Sequence, residues 1–143
     1  MKNRNTKAGD NWKTPKKLYD DLDKEFSFDF DPCPYCEGEI PEEKDGLKID
    51  WGNCNFVNPP YSRKLKEAFV KRAIEMQDKG KTSVLLLPVS TSTKLFHDYI
   101  KPNAEEIRFL RGRVRFEGRN TKGEWVTNKC GMHDSMIVIL RGR

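Results

Sequence analysis

The apolar positions of the chain follow a few distinct periods, and each period predicts an element. Val84-Leu85-Leu86-Leu87 is an unbroken apolar run closed by Pro88, the pattern of a strand buried on both faces. Leu65, Ala68, Phe69, Ala73 and Met76 trace one face of a helix that starts after Ser62 and ends at Lys79-Gly80, with a basic last turn and a terminating glycine. Leu18, Tyr19, Leu22 and Phe26 do the same earlier, behind Thr14 as N-cap and Pro15 in the first helical position. From Phe26 to Asp31 phenylalanine alternates with Ser or Asp, which predicts a half-buried strand ended by Asp31-Pro32. Ser90 to Thr93 open a short helix that runs to Ile100 and stops at Pro102, and Ser135 to Leu140 form the last buried strand. Ile107 to Leu110 and Val114 to Phe116 flank Arg111-Gly112-Arg113 as a hairpin. Met1 to Asn11 is polar and without period, a frayed tail ahead of a single domain over 12–143.

The stretch Phe56-Val57-Asn58-Pro59-Pro60-Tyr61-Ser62 organises the rest. Phe56 and Val57 end a short buried strand, and the two prolines forbid both strand pairing and helix where Asn58 and Tyr61 emerge. Ser62 can cap the helix that follows. With the run at 84–87 this makes a strand, a rigid polar loop, a helix and a second strand. A right-handed crossover sets the two strands parallel, with the loop at their carboxyl end. In that loop the Asn58 amide oxygen and the Pro59 carbonyl are two acceptors for the two hydrogens of an exocyclic amine. Holding both N–H groups out of the ring plane favours a tetrahedral nitrogen whose lone pair can attack an electrophilic methyl group. Tyr61 offers a flat face on which a base stacks. The bland alternative is a Pro-Pro pair that merely ends a strand, beside a half-buried surface aromatic.

Charge changes the picture of what binds. The chain of 143 residues has a net charge of +5, which favours a polyanionic partner. Asp29 to Asp50 holds eight acidic side chains against Lys44 and Lys48. Arg108 to Lys122 reverses the balance: Arg108, Arg111, Arg113, Arg115, Arg119 and Lys122 oppose only Glu117, so nucleic acid is drawn to this second stretch. No stretch is apolar enough to span a membrane or serve as a signal peptide, which points to a cytoplasmic protein.

Two features leave alternatives open. Asp31, placed beyond a strand end, either reaches a cofactor's ammonium or ribose or only caps the turn. Cys33-Pro34-Tyr35-Cys36 reads as inert thiols, as a redox pair, or as part of a zinc site with Cys54 and Cys130 or His133; Gly38 and Pro41 disfavour the helix that a redox pair needs. His97 beside Phe96 is a surface or packing residue.

The segments WKTPKKLYDDLDKEFSFDFDPCP, DGLKIDWGNCNFVNPPYS, LLLPVSTSTKLFHDYI, EIRFLRGRVRFEG and CGMHDSMIVIL, in that order, resemble the phage-type DNA N6-adenine methyltransferase family. The resemblance implies a minimal Rossmann-like α/β fold, a mixed sheet flanked by helices, that uses S-adenosyl-L-methionine (SAM). It implies transfer of methyl to the N6 amine of an adenine flipped out of double-stranded DNA. Carried onto this chain, Asn58, Pro59, Pro60 and Tyr61 are the catalytic loop. Thr14, Pro15, Asp31, Pro32, Cys33 and either Asp45 or Asp50, with Asp45 favoured beside Gly46, contact the cofactor. Arg111, Arg113, Arg115, Arg119 and Lys122 are the candidate DNA contacts, and no metal is expected. One departure stands out: the glycine-rich turn usual after the first strand of such folds is absent. RNA adenine, a protein glutamine amide, or a non-catalytic and zinc-stabilised nucleic-acid-binding module remain as alternatives.

Overall fold

The computed structural model describes residues 3–130 and 133–143, without the side chains of 128–130. Four strands form the main sheet: β3 (Cys54–Val57), β4 (Thr82–Pro88), β5 (Glu106–Phe109) and β8 (Ser135–Leu140), in the order β3-β4-β8-β5. β3 and β4 are parallel, joined through helix α2 (Arg63–Asp78), while β8 runs antiparallel to both β4 and β5. The expected crossover unit is therefore present, with Asn58-Pro59-Pro60-Tyr61 at its carboxyl end. Register then gathers further loops at that end: Pro88 lies opposite Ser135, and the Leu110 N–H bonds to the Ser135 carbonyl.

Both sheet faces are covered, which is why the strands read as continuous apolar runs. Val57, Leu85, Leu87, Met136, Val138 and Leu140 pack against α2 and against a π-helical segment, Leu95–Ile100, that runs into α3 (Lys101–Asn103). On the other face Phe56, Val84, Leu86, Ile137 and Ile139 pack against Leu18, Tyr19, Leu22 and Phe26 of α1 (Lys16–Phe26). A hairpin of β6 (Arg115–Arg119) and β7 (Trp125–Cys130) lies on this second face through Phe116. The result is a mixed sheet between helical layers. Among the described residues no helix is long and apolar enough to cross a membrane.

Four expectations are corrected. Thr14 does not cap α1: Pro15 holds the cap position without a side-chain bond, and Ser62 likewise gives α2 no side-chain cap. The strand expected over 26–31 reduces to one parallel bridge, Phe30 to Asn55, because Phe26 still belongs to α1 and Ser27 ends that helix at φ 56°. Residues 107–116 are not a hairpin. β5 joins the main sheet and β6 the small one, so Arg111-Gly112-Arg113 is a turn between sheets, with Gly112 at φ +72°.

The fourth correction concerns the tail, which is docked from residue 4 onwards. β1 (Arg4–Asn5) pairs with β2 (Glu39–Ile40), and Arg4 forms an ion pair at 3.2 Å with Asp45. Asp10 takes the Tyr61 N–H on its carbonyl and the Ser62 N–H on its carboxylate. This polar segment has no period because its own backbone and side-chain bonds, not an apolar face, hold it.

Candidate active site

Asn58 sits where two cavities meet. One, about 100 Å³, is lined by Asn58, Tyr61, Lys66, Leu86, Ser90 and His133 among others. The second, about 400 Å³, is lined by Trp12, Thr14, Tyr19, Asp31, Tyr35 and Asn58 among others, a size in the range of small-molecule sites.

The orientation of the Asn58 amide follows from its partners. Its Nδ2 donates to the Trp12 carbonyl at 2.7 Å and to Thr14 Oγ1 at 3.0 Å. A carbonyl only accepts, so nitrogen must face it, and both amide hydrogens are thereby used. No described residue bonds to Oδ1, which is left as an acceptor. Pro59 and Pro60 beside it are buried, which keeps the loop stiff. The residue predicted as a helix cap, Thr14, thus steers the asparagine instead.

Tyr61 is braced rather than free. Its ring lies 6.3 Å from Trp12 at 37° and 5.8 Å from Phe116 edge-on at 90°. Burial pushes its hydroxyl up to about 12, so it stays neutral and acts as an aromatic plane. Trp12 in turn donates from Nε1 to the Gly9 carbonyl at 3.1 Å. Its ring faces Gly118, where an added Cβ would stand 2.9 Å from Trp12 Cε3. Only glycine lets β6 approach this closely.

In the larger cavity Asp31 is the one carboxylate among the lining residues; Lys13 and Lys16 also line it, but neither is ion-paired with Asp31, and Lys16 is bonded to Asp20. Asp31 Oδ1 accepts the Cys33 N–H at 2.8 Å, yet burial raises its carboxyl to about 6, because one amide does not offset the loss of water. Burial likewise pushes the Cys33 thiol up to about 12, the mark of an inert thiol. The turn that carries both, from Asp31 to Cys33, is seated on Gly46: a Cβ there would fall 2.0 Å from the Pro32 carbonyl oxygen. This close approach, aromatic walls and one carboxylate stand where a glycine-rich turn was expected. A carboxylate in no ion pair beside several rings can take a ligand that carries both a cationic and an aromatic group.

Other predicted residues fall elsewhere. Pro15 precedes α1 and Pro32 is buried; neither lines the two cavities. Asp45 is spent on structure: 2% exposed at its side chain, it binds Arg4 and takes the Leu47 N–H at 3.0 Å. Asp50 is exposed and bonded to Lys79 at 2.9 Å. Among the described residues no three His, Cys, Asp or Glu side chains gather as a metal site, and Cys130 lies outside the described side chains.

The basic stretch is divided rather than a single patch. Arg111, Arg115 and the hairpin-tip Lys122 are exposed. Arg113 pairs with Asp134 at 3.6 Å. Arg119 binds Glu37 and lies over the Trp125 ring at 5.6 Å, which ties the basic hairpin to the acidic loop. Arg108 is held by Glu25 and Glu106.

Sequence reasoning missed Trp12, Tyr35, Lys66 and His133 as lining residues. Trp12 had a signal, its place beside Thr14 in the quoted segment. Lys66 reads as one more solvated helix lysine, and nothing near His133 marks a cavity.

The chain matches the family described as DNA N-6-adenine-methyltransferase (Dam) over residues 2–142. It is similar to the DNA N-6-adenine-methyltransferase of Haemophilus phage HP1 (strain HP1c1), 36% identical over 136 residues that cover 87% of this chain and 77% of that relative. To the DNA N-6-adenine-methyltransferase of Escherichia phage T1 it is 35% identical over 109 residues, 71% of this chain and 44% of that longer protein. With the parallel crossover and its Asn-Pro-Pro-Tyr loop already in place, a match of this extent means that the chain belongs to the DNA N-6-adenine-methyltransferase (Dam) family.

Proposed function

We propose that the protein transfers methyl from SAM to the N6 amine of an adenine extruded from duplex DNA, with Asn58, Pro59, Pro60 and Tyr61 as the catalytic loop. The observation that carries this reading is the place of Asn58, shared by both cavities and presenting a free amide oxygen. The adenine enters the smaller cavity and stacks on Tyr61. Asn58 Oδ1 and the Pro59 carbonyl accept its two N6 hydrogens, which turns the nitrogen lone pair out of the ring. Bound SAM supplies an electrophilic methyl group on a sulfonium sulfur. Asp31 pairs with the cofactor's ammonium, Trp12 and Tyr19 wall the larger cavity, and Thr14 keeps the Asn58 amide turned the right way. Cys33 lines the cavity by contact, not as a nucleophile. Asp45, Pro15 and Pro32 support the segments that carry these groups. Arg111 and Arg113 in the turn after β5, with Arg115, Arg119 and Lys122 on the β6–β7 hairpin, are the contacts for phosphates of a docked duplex.

Catalysis rests on positioning and electrostatics, and the proton that N6 sheds on methylation passes to water. Nothing in the family or in the two relatives favours RNA adenine or protein glutamine as acceptor. The test is nucleoside analysis of duplex DNA incubated with SAM and the protein. We expect N6-methyladenine from the unaltered chain. Asn58→Ala should keep DNA binding and lose turnover by roughly a hundred- to a thousandfold. Turnover retained in that variant would remove the assignment.

A further inference from the structure

A third cavity, about 250 Å³, adjoins the smaller of the two and shares Lys66, Leu87, Pro88 and Ser90 with it. Its floor is apolar, from Leu95, Ile100 and Met136, and its rim carries Arg63, Lys66, Glu67 and Lys94. Three cations thus face one carboxylate. That carboxylate, Glu67, stands 3.7 Å from Arg63, whose side chain is 85% exposed, an ion pair of little worth in water.

On this rim Lys66 and Lys94 differ from Arg63: among the described residues neither ammonium group has an ion pair or hydrogen bond. Lys66 is half-buried, and burial lowers its ammonium below the ordinary value although Glu67 is near. Ser90 adds a hydroxyl that bonds to no described residue; its carbonyl alone is used, by Thr93. A donor-rich rim short of negative charge, sharing a wall with the pocket that takes a base, is complementary to the group that must travel with that base. A nucleotide swung out of a duplex brings its own phosphodiester to the mouth of the pocket.

We propose that Lys66, Lys94 and Ser90 form a clamp for a phosphodiester next to the extruded adenine. The clamp rests on the function proposed above and adds to the arginine-bearing turn a second backbone contact, on the α2 side of the sheet. It acts by positioning: phosphate bound there fixes how far the strand rotates, and hence where N6 meets Asn58.

The test uses the full chain, Lys94→Ala and Lys66→Gln, with duplexes carrying one neutral methylphosphonate on either side of the target adenine. Each variant should lower DNA affinity about threefold to tenfold and flatten the plot of log affinity against log salt by about one unit, with SAM affinity unchanged. One of the two methylphosphonates should weaken the unaltered chain by a similar factor and weaken Lys94→Ala no further. Unaltered slopes in both variants, or methylphosphonate losses that simply add to those of Lys94→Ala, would overturn the clamp. An unaltered chain that methylates no DNA at all strikes the function proposed above instead. One that methylates DNA while the variants keep its slope strikes the clamp alone.

Discussion

The two cavities that meet at Asn58 are built in opposite ways. The smaller one takes most of its lining, Asn58, Tyr61, Lys66, Leu86, Leu87, Pro88 and Ser90, from one strand-loop-helix-strand unit and the loop after it, and is closed by Phe116, His133 and Ser135. The larger is assembled from three distant segments, around residues 12–19, 31–35 and 56–58, with the Asn58 to Thr14 bond closing 44 positions. Their electrostatics are opposite too. On one side the half-buried Lys66 ammonium has no hydrogen-bonded anion; on the other the half-buried Asp31 carboxylate is in no ion pair, although Lys13 and Lys16 line the same cavity. On the two proposals above, the ligand brings the opposite charge in each case, a phosphate and an ammonium. Keeping such groups ionised costs stability that ligand binding restores.

Three measurements would break or sharpen this contrast. The largest effect belongs to Asp31→Asn. Without the carboxylate, SAM affinity should fall roughly tenfold to a hundredfold by calorimetric titration, a loss of about 1.4–2.7 kcal/mol. The same change should raise thermal stability. The folded Asp31 carboxyl, at about 6, lies above its ordinary 3.8, so the ionised form is penalised by folding. That penalty is full above about pH 6, shrinks as pH falls, and is gone below the unfolded value. Its removal should therefore stabilise the chain at pH 7, by on the order of 1–3 kcal/mol, and not at pH 3.5. For the unaltered chain, SAM affinity should be level above about pH 6 and decline towards tenfold per pH unit below it. A melting temperature unchanged at pH 7 would show that Asp31 is not strained.

Next in size is Thr14→Val, which leaves one Asn58 hydrogen without its acceptor. We expect kcat to drop about tenfold, within the range of a lost hydrogen bond, with DNA affinity kept. Thr14→Ser should recover most of the rate; failure of serine to do so would mean that the methyl packing, not the hydroxyl, matters. Smallest are Arg111→Ala and Arg115→Ala on the exposed turn and strand. Each should weaken DNA binding only severalfold and reduce the salt slope by about one. An effect on SAM affinity would place them at the other cavity.

Legibility in the sequence follows the same division. The crossover unit, the helix over 63–78, the strand over 135–140 and the proline-built Asn-Pro-Pro-Tyr kink are readable because short-range period and proline chemistry record them directly. The strand expected at Phe26 to Asp31 failed because its alternating phenylalanines serve different surfaces. Phe28 joins the α1 face, while Phe30 joins the α2 face. The hairpin expected around Gly112 failed because a glycine turn marks a reversal without saying which strand each arm will join. The structural bonds of Asp45 are illegible for a similar reason: its partner, Arg4, lies 41 residues away in a segment that reads as a tail.

By itself, then, the sequence determined the elements with strong periods, the stiff loop between two of them and the family. Only the tertiary structure decided which way the Asn58 amide turns, that Trp12 and Asp10 hold its loop, and that Asp31 rather than Asp45 is left without an ion pair. Periodicity reports that a face will be buried, since apolar surface is driven from water wherever it lies. Hydrogen bonds and ion pairs between distant segments depend on which surfaces end up adjacent, and that is settled only when the sheet and its covering layers close.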